Sequence, residues 1–318
     1  MDRAVNDAEV VEAIEDVEVV EDVDQELSAL FAEAGVRGFL YARDVDGPAA
    51  VGVSPDDPVC LASVFKIAVC LGYAVEAQAG RLSRTERLAV EQRFRDGGIG
   101  TSGFADPVEL SLRDLALMMM SMSDNAATDV VLARVGLDRV NGLLAALGRT
   151  RTHLIGGCLE LLGSLRAQLG AGTDEELEAA MAARAAAGTL MELDVCTPLR
   201  TTRSTARDTA ELLAQIWRDE AGPAEACQEV RTIMGRQIWP HRLSSGFDDS
   251  WRVGAKTGTL PGWRNEAGVV EHADGGRYAV AVFTRCERPD FRNPAADRVI
   301  GQAAALAVGH LRSLSVRS

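Results

Sequence analysis

Two residues of this chain place a nucleophile and a base at helical spacing. Ser63 and Lys66 are three residues apart, so on a helix they share one face, with about 5–6 Å between their Cβ atoms. A serine hydroxyl needs an adjacent base, and a lysine amine can supply one when burial or another positive charge lowers its pKa. Apolar residues follow Lys66 directly, which predicts a buried lysine. The pair therefore indicates a serine activated for acyl transfer.

Lysine is rare in this chain, and its two positions are informative. Of 33 basic residues only Lys66 and Lys256 are lysines, and the others are arginines. Arginine keeps its proton in proteins, whereas the pKa of a lysine shifts readily on burial. Lys256 begins the pattern Lys-Thr-Gly, and its charge is a candidate for lowering the pKa of Lys66. Both lysines therefore lie in motifs in which an amine with a shifted pKa could take part in the chemistry.

A third pattern, Ser-Asp-Asn at residues 123–125, lies between the two lysines. Taken alone it is typical of a helix N-cap, and Ser63 with Lys66 alone is compatible with a solvated helix surface. All three patterns occur once, in this order, and together they include both lysines. This conjunction favours a chemical role over three unrelated local features.

The three motifs resemble those of the class A β-lactamases and penicillin-binding proteins. Leu112-Arg113-Asp114-Leu115 before the second motif and Leu260-Pro261-Gly262 after the third add to the resemblance, which covers about residues 25–312. It implies an α+β fold of the β-lactamase/DD-peptidase type, with an antiparallel sheet flanked by helices and an all-helical lobe.

The resemblance also implies a division of the chain. Residues 1–24 would form an acidic N-terminal extension. Residues 25–60 together with 215–318 would form the α/β lobe. Residues 61–214 would form the all-helical lobe that carries Ser63 and Ser123.

By the same resemblance, four side chains are expected to carry the chemistry. Ser63 would be the nucleophile, Lys66 its base partner, and Ser123 the proton relay to the leaving nitrogen. Lys256 would tune the electrostatic potential of the site. Backbone N–H groups of Ser63 and Thr259 would form an oxyanion hole, in which each donor is worth about 3–4 kcal/mol.

Further residues are expected to bind the substrate. Asn125 would hydrogen-bond a side-chain amide of the substrate, and Lys256 and Thr257 would hold its carboxylate. Gly258 and Thr259 complete the substrate-binding strand. Arg242, fourteen residues before Lys256, is expected to add a second carboxylate contact, the alternative being a surface arginine.

One position departs from the family pattern. Class A enzymes carry a glutamate that activates the deacylating water, and alignment places Cys158 there. Glu160 lies two residues later and Glu192 lies far downstream. The chain is also longer than the family norm in this region, and residues 166–190 contain a predicted extra helix. We therefore expect acylation with slow release by water.

Three functions remain open at this point. The first is a hydrolase that forms an acyl-enzyme on Ser63 with a β-lactam, amide or ester. The second is a biosynthetic acyltransferase or cyclase in which an amine or alcohol replaces water. The third is a non-catalytic binding protein or sensor. In each, the partner is a small molecule that carries a carboxylate.

Composition excludes several other classes. The net charge of −14 is concentrated in residues 1–26, which contain eleven acids and one base, and no basic stripe suggests nucleic-acid binding. Acids interrupt every apolar run of the N-terminus, so we expect no signal peptide and no membrane span. The expected location is therefore cytoplasmic.

Six cysteines without metal-ligand spacing predict buried thiols, and we expect no metal and no cofactor. The pattern Gly-x-Gly-x-x-Gly at 98–103 lacks the strand–turn–helix context of a dinucleotide site and predicts a turn.

Hydrophobic periodicity predicts the elements. A helix is expected over residues 8–34 and a hairpin over 36–53 around the turn at 44–47. Further helices are predicted over 61–80, 111–136 (capped by Ser111 and Asp114), 205–218 and 295–311, and strands over 251–256, 267–271 and 277–284.

Overall fold

A computed structural model describes residues 23–95, 98–286 and 292–317. The helices are α1 (described over 23–33), α2 (Lys66–Gln78), α3 (Leu112–Ser121), α4 (Asn125–Val135), α5 (Leu137–Ala146), α6 (Cys158–Leu169), α7 (Asp174–Ala186), α8 (Ala206–Trp217), α9 (Ala224–Met234) and α10 (Pro294–Arg317). The strands are β1 (Val36–Asp44), β2 (Ala50–Val53), β3 (Val59–Cys60), β4 (Arg87–Val90), β5 (Val108–Ser111), β6 (Arg203–Ser204), β7 (Trp251–Leu260), β8 (Trp263–His272) and β9 (Arg277–Cys286).

The main sheet combines strands from both ends of the chain. Its five antiparallel strands follow the order β2-β1-β9-β8-β7, so β7 is an edge strand. The predicted hairpin is confirmed, and all three C-terminal strands are longer than predicted. The α+β fold expected from the sequence is therefore present.

The two faces of the sheet belong to separate hydrophobic clusters because side chains alternate along a strand. On β1, Leu40 packs with α1 and α10, whereas Phe39 and Tyr41 belong to the larger cluster with α8 and the other helices. Phe39 stacks on Trp263 with 5.8 Å between the ring centroids. The sheet is thus covered on both sides.

Helix α8 spans the predicted boundary between residues 214 and 215. It was predicted over residues 205–218 and covers 206–217, with Thr205 capping its first turn through the N–H of Asp208 at 3.0 Å. Leu213 and Ile216 of this helix are fully buried in the larger cluster. Helix α8 therefore packs with both the sheet and the other helices, across the predicted boundary.

The helix predicted over residues 111–136 is wrong as a single element. Helix α3 starts at the predicted cap, where Ser111 accepts the N–H of Asp114, but it ends at Ser121. Ser123 has φ = 67°, a left-handed conformation that a helix cannot accommodate, and Asp124 caps α4 by accepting the N–H of Ala127 at 3.0 Å. The break divides the segment at the second motif.

Other predictions concern the loops and the termini. The extra helix is present as α7, although none of its residues is fully buried. The pattern at 98–103 contains a 3₁₀ turn, Gly100–Gly103. Part of the predicted N-terminal helix, residues 8–22, lies outside the described residues. Within the described chain, no helix combines the length and apolar character needed to cross a membrane.

Candidate active site

Ser63 lies in a short 3₁₀ turn, Ala62–Phe65, immediately before α2. It is the only residue between positions 61 and 74 that is not buried. Asn265 of β8 donates to the carbonyl of Cys60 at 2.8 Å, and Ala62 adopts φ = 47°. The turn is therefore held from the sheet and contains a conformation that non-glycine residues rarely adopt.

Lys66 is completely buried at the start of α2. Its Nζ donates to the carbonyl of Ser123 at 2.8 Å, to Asn125 Oδ1 at 2.9 Å and to Ser123 Oγ at 3.2 Å. Burial lowers the pKa of Lys66, and Cys158, Asp129 and Asp124 oppose that effect. The first and second motifs therefore meet at the Lys66 amine. Burial makes this amine easier to deprotonate than a lysine in water.

The second motif is fixed by the glycine-rich turn at 98–103. Asp124 is fully buried and accepts the Thr101 N–H at 2.6 Å and its hydroxyl at 2.8 Å. Ser102 donates to Asp124 at 3.1 Å and accepts the N–H of Ala126 at 2.8 Å. This turn holds the second motif in place, a role that the sequence did not reveal.

The third motif runs along the edge strand β7 and packs against the Ser63 turn. A Cβ atom on Gly258 would lie 2.8 Å from the Leu61 carbonyl oxygen and 3.0 Å from Val64 Cγ2. Lys256 is completely buried and donates to the carbonyl of Thr257 at 2.8 Å. Burial, and next the charge of Lys66, hold the pKa of Lys256 well below its usual range. Glycine at 258 thus permits the close approach of the first and third motifs.

The free edge of β7 faces the site. The N–H of Thr257 donates to Gln237 Oε1 at 2.6 Å and therefore points away from β8. Because backbone direction alternates along a strand, the N–H of Thr259 points to the same edge. Gln237 in turn donates to the buried Glu266 at 2.6 Å. Neither Gln237 nor Glu266 was identified from the sequence, since their partners are distant in the chain.

Arg242 is buried, so the alternative of a surface arginine is wrong. Its guanidinium donates to Asp297 at 2.7 Å, to the carbonyls of Gly258 and Asn265 at 2.9 and 3.0 Å, and to Thr259 Oγ1 at 2.8 Å. It thus contacts the substrate-binding strand directly. The contact with a substrate carboxylate stays a prediction.

Cys158 is the first residue of α6 and lies beside the second motif. Its Sγ is 3.2 Å from Asn125 Oδ1, the same oxygen that accepts a hydrogen bond from Lys66. Burial raises the pKa of the Cys158 thiol to about 11, with the charge of Lys66 opposing the shift. The thiol is therefore protonated at neutral pH. No disulfide forms among the six cysteines, all of which are described and buried.

The two glutamates considered as alternatives to Cys158 are exposed. Glu160 accepts the N–H of Gly157 at 2.7 Å, which satisfies a free donor at the N-terminus of α6. Glu192 lies in a 3₁₀ turn, Leu190–Glu192. Asp129, which the sequence did not single out, is buried instead and accepts the N–H of Cys158 at 2.6 Å.

Comparison with known proteins identifies the family of the chain. A model of the β-lactamase enzyme family matches residues 22–311. The β-lactamase regulatory protein BlaB of Streptomyces cacaoi is 28% identical over 300 residues, which is 88% of this chain and 94% of that protein.

Solved structures share the fold. A β-lactamase from Sphaerobacter thermophilus has a TM-score of 0.71 at 25% identity, over 90% of this chain and 97% of that one. PBP-A has a TM-score of 0.73 at 19% identity, over 93% and 96%. A β-lactamase from Chitinophaga pinensis has a TM-score of 0.74 at 18% identity, over 92% and 99%. The chain therefore belongs to the β-lactamase enzyme family.

Proposed function

We propose that the protein is a serine acyl-transferring enzyme in which Ser63 attacks the carbonyl of a β-lactam, amide or ester. The observation that carries the proposal is the pairing of a partly exposed Ser63 with a fully buried Lys66. The amine of Lys66 is bound by Ser123 and Asn125 and has a lowered pKa. Such an environment fits a base that accepts the serine proton.

The proposed reaction proceeds in two proton-balanced steps. The Ser63 hydroxyl adds to the carbonyl carbon while its proton passes to the neutral amine of Lys66. The N–H groups of Ser63 and Thr259 stabilise the resulting oxyanion. The carbon–nitrogen or carbon–oxygen bond then breaks, the Lys66 ammonium gives its proton to the Ser123 hydroxyl, and that hydroxyl gives its own proton to the leaving atom. The product is an ester on Ser63.

The substrate is proposed to carry a carboxylate. Lys256 and Thr257 line the edge of β7 next to the Ser63 turn, and Arg242 donates to Thr259 on the same strand. The guanidinium charge of Arg242 beside this strand favours an anionic group. Asn125, whose Oδ1 is bound to Lys66, would offer its amide nitrogen to the substrate.

Release of the acyl group by water is proposed to be slow. The position next to Lys66 and Asn125 is occupied by the protonated thiol of Cys158, which is a poor general base at neutral pH. Glu160 and Glu192 are exposed, and Glu160 is engaged with the backbone of Gly157. We therefore expect a long-lived acyl-enzyme.

An intact-mass time course tests this proposal. The protein is incubated with a fluorescent penicillin, a chromogenic cephalosporin and an activated ester, and the mass increase is followed with time. We expect one adduct per chain that persists in buffer, and no adduct on Ser63→Ala or Lys66→Ala. Glu160→Ala, which removes an exposed cap, is expected to behave as wild type. No adduct with any probe would overturn the proposal.

A second candidate is a regulatory protein that is acylated by a β-lactam and signals its presence. The similarity to a β-lactamase regulatory protein favours it, and a persistent acyl-enzyme would suit a sensor. A biosynthetic acyltransferase is distinguished by the same experiment, because addition of an amine or alcohol would then discharge the adduct. An adduct that resists both water and such nucleophiles supports the regulatory function.

A further inference from the structure

Asp129 connects the site to helix α6. It lies on α4 one turn after Asn125 and on the same face, and its side chain is buried. The carboxylate accepts the N–H of Cys158 at 2.6 Å and that of Leu159 at 3.0 Å. These are the first two N–H groups of α6, which carry the positive end of the helix dipole. A carboxylate from one helix therefore caps another.

The absence of a side chain at Gly157 leaves room for this contact. A Cβ atom on Gly157 would lie 2.1 Å from Asp129 Oδ1, so a larger residue at 157 would displace the carboxylate. The consequence reaches the site, because the Cys158 thiol lies 3.2 Å from Asn125 Oδ1 and Lys66 is 2.9 Å from the same atom. Asp129 thus binds the backbone of a residue whose side chain lies beside Asn125, the residue that also binds Lys66.

The carboxylate also acts through its charge. Asp129 is one of the negative groups that oppose the effect of burial on Lys66. Glu160 and Cys158 of α6 and Lys66 of α2 face it, and Arg93 lines the same 410 Å³ cavity.

We propose that Asp129 is a positioning residue of the active site, which fixes Cys158 through its backbone and supplies a negative charge that favours the protonated form of Lys66. The proposal rests on the proposed function only in assigning Lys66 as the base. The protonation of Lys66 itself is measurable without any substrate.

The presence of only two lysines makes that measurement direct. Protein labelled with ¹³C at lysine Cε gives two lysine signals, and Lys256→Arg identifies which one belongs to Lys66. The chemical shift of Lys66 is followed against pH in the wild type, in Asp129→Asn and in the control Asp138→Asn. Asp138 is an exposed acid in the first turn of α5, so its variant removes one charge away from the site.

Loss of the Asp129 charge should make the Lys66 ammonium easier to deprotonate. We expect its titration midpoint in Asp129→Asn to fall by about half a pH unit or more, and that of Asp138→Asn to stay unchanged. A purely structural cap would not move this midpoint. An unchanged Lys66 midpoint in Asp129→Asn would overturn the proposal, whether or not the protein reacts with β-lactams.

A measurement on the wild type covers the case in which Asp129→Asn does not fold. The amide protons of Cys158 and Leu159 are bound to the carboxylate, so their NMR shifts should move together as Asp129 takes up a proton. Burial raises the pKa of Asp129 from 3.8 to about 6, which sets the expected midpoint. Two amides that do not titrate between about pH 4.5 and pH 7.5 would contradict the proposal.

Discussion

The amine of Lys66 is the group on which the proposed chemistry most depends. It is buried and donates hydrogen bonds to Ser123 and Asn125. Burial lowers its pKa. Lys256 is also buried, and burial, followed by the charge of Lys66, lowers its pKa as well. Two neighbouring amines of lowered pKa can divide the work, one accepting a proton and the other providing charge.

This division predicts different outcomes for the same substitution at the two lysines. Arginine does not lose its proton, so Lys66→Arg should lower the rate of Ser63 acylation by about 100-fold or more. Lys256→Arg retains a positive charge and should retain more of the rate. Intact-mass kinetics with a fluorescent penicillin provide the comparison. Equal rates for Lys66→Arg and the wild type would show that Lys66 is not the base.

Cys158 gives a second prediction at this scale. Cys158→Glu places a carboxylate next to Lys66 and Asn125, and hydrolysis of the acyl-enzyme should accelerate about 100-fold. Cys158→Gln has nearly the same shape without a base and serves as the control. The half-life of the adduct, measured after removal of free β-lactam, reports the effect. Equal half-lives for the Glu and Gln variants would exclude a missing base as the cause of slow release.

The site is assembled by close contacts between elements. Helices α3 and α4 are separated at Ser123, whose left-handed backbone brings its carbonyl and hydroxyl to Lys66. The turn at 98–103 holds Asp124, and the edge of β7 rests on the Ser63 turn at Gly258. Contacts between elements therefore hold the three motifs together.

The contact at Gly258 predicts a substitution that separates two motifs. In Gly258→Ala the added Cβ would meet the Leu61 carbonyl, so β7 must move away from the Ser63 turn. We expect a loss of about 1–3 kcal/mol in unfolding free energy and up to about 100-fold in acylation rate.

The matched control is Gly142→Ala on α5, where no atom lies within 4 Å of the new Cβ apart from the adjoining residues and the backbone of the same helix. Alanine favours a helix over glycine by about 1 kcal/mol, so this variant should be as stable as the wild type or more so. Urea unfolding and intact-mass kinetics measure the two properties. Wild-type acylation by Gly258→Ala would show that this contact does not align the site.

At the scale of the molecule, two hydrophobic clusters separated by the sheet hold buried ionisable groups in place. Lys66, Lys256 and Glu266 are completely buried, and Asp129 nearly so. Burial lowers the pKa of the two lysines and raises that of Glu266. The stability of the protein is consequently linked to pH.

Asp129 provides the clearest test of this linkage. Its pKa is raised in the folded protein from 3.8 to about 6, so the folded state binds its proton more tightly than the unfolded state does. The resulting stabilisation is complete below the unfolded value and is lost as the pH rises through about 6. Relative to Asp129→Asn, the wild type should therefore lose about 2–3 kcal/mol of unfolding free energy between acidic and neutral pH.

Urea unfolding of both proteins across this pH range measures the difference. The comparison concerns the change with pH, because the lost hydrogen bonds to Cys158 and Leu159 shift the stability of the variant at every pH. Parallel pH profiles for the wild type and Asp129→Asn would mean that the carboxylate titrates normally.

The sequence by itself determined the motifs, the fold class and most elements. Strand and helix periodicities of 2 and 3.6 residues are local properties, so the hairpin, α8 and the C-terminal strands were predictable. The spacing of Ser63 and Lys66 is equally local. The alignment of Cys158 with the family's glutamate stays a prediction, and the structure places its thiol beside Asn125.

Only the tertiary structure decided how those motifs are held. The break at Ser123, the burial of Arg242, the bond from Thr257 to Gln237 and the cap formed by Asp129 depend on residues far apart in the chain. A residue pattern records which chemical groups are present. The distance between groups on different elements, and the burial that shifts their pKa values, arise only when those elements pack together.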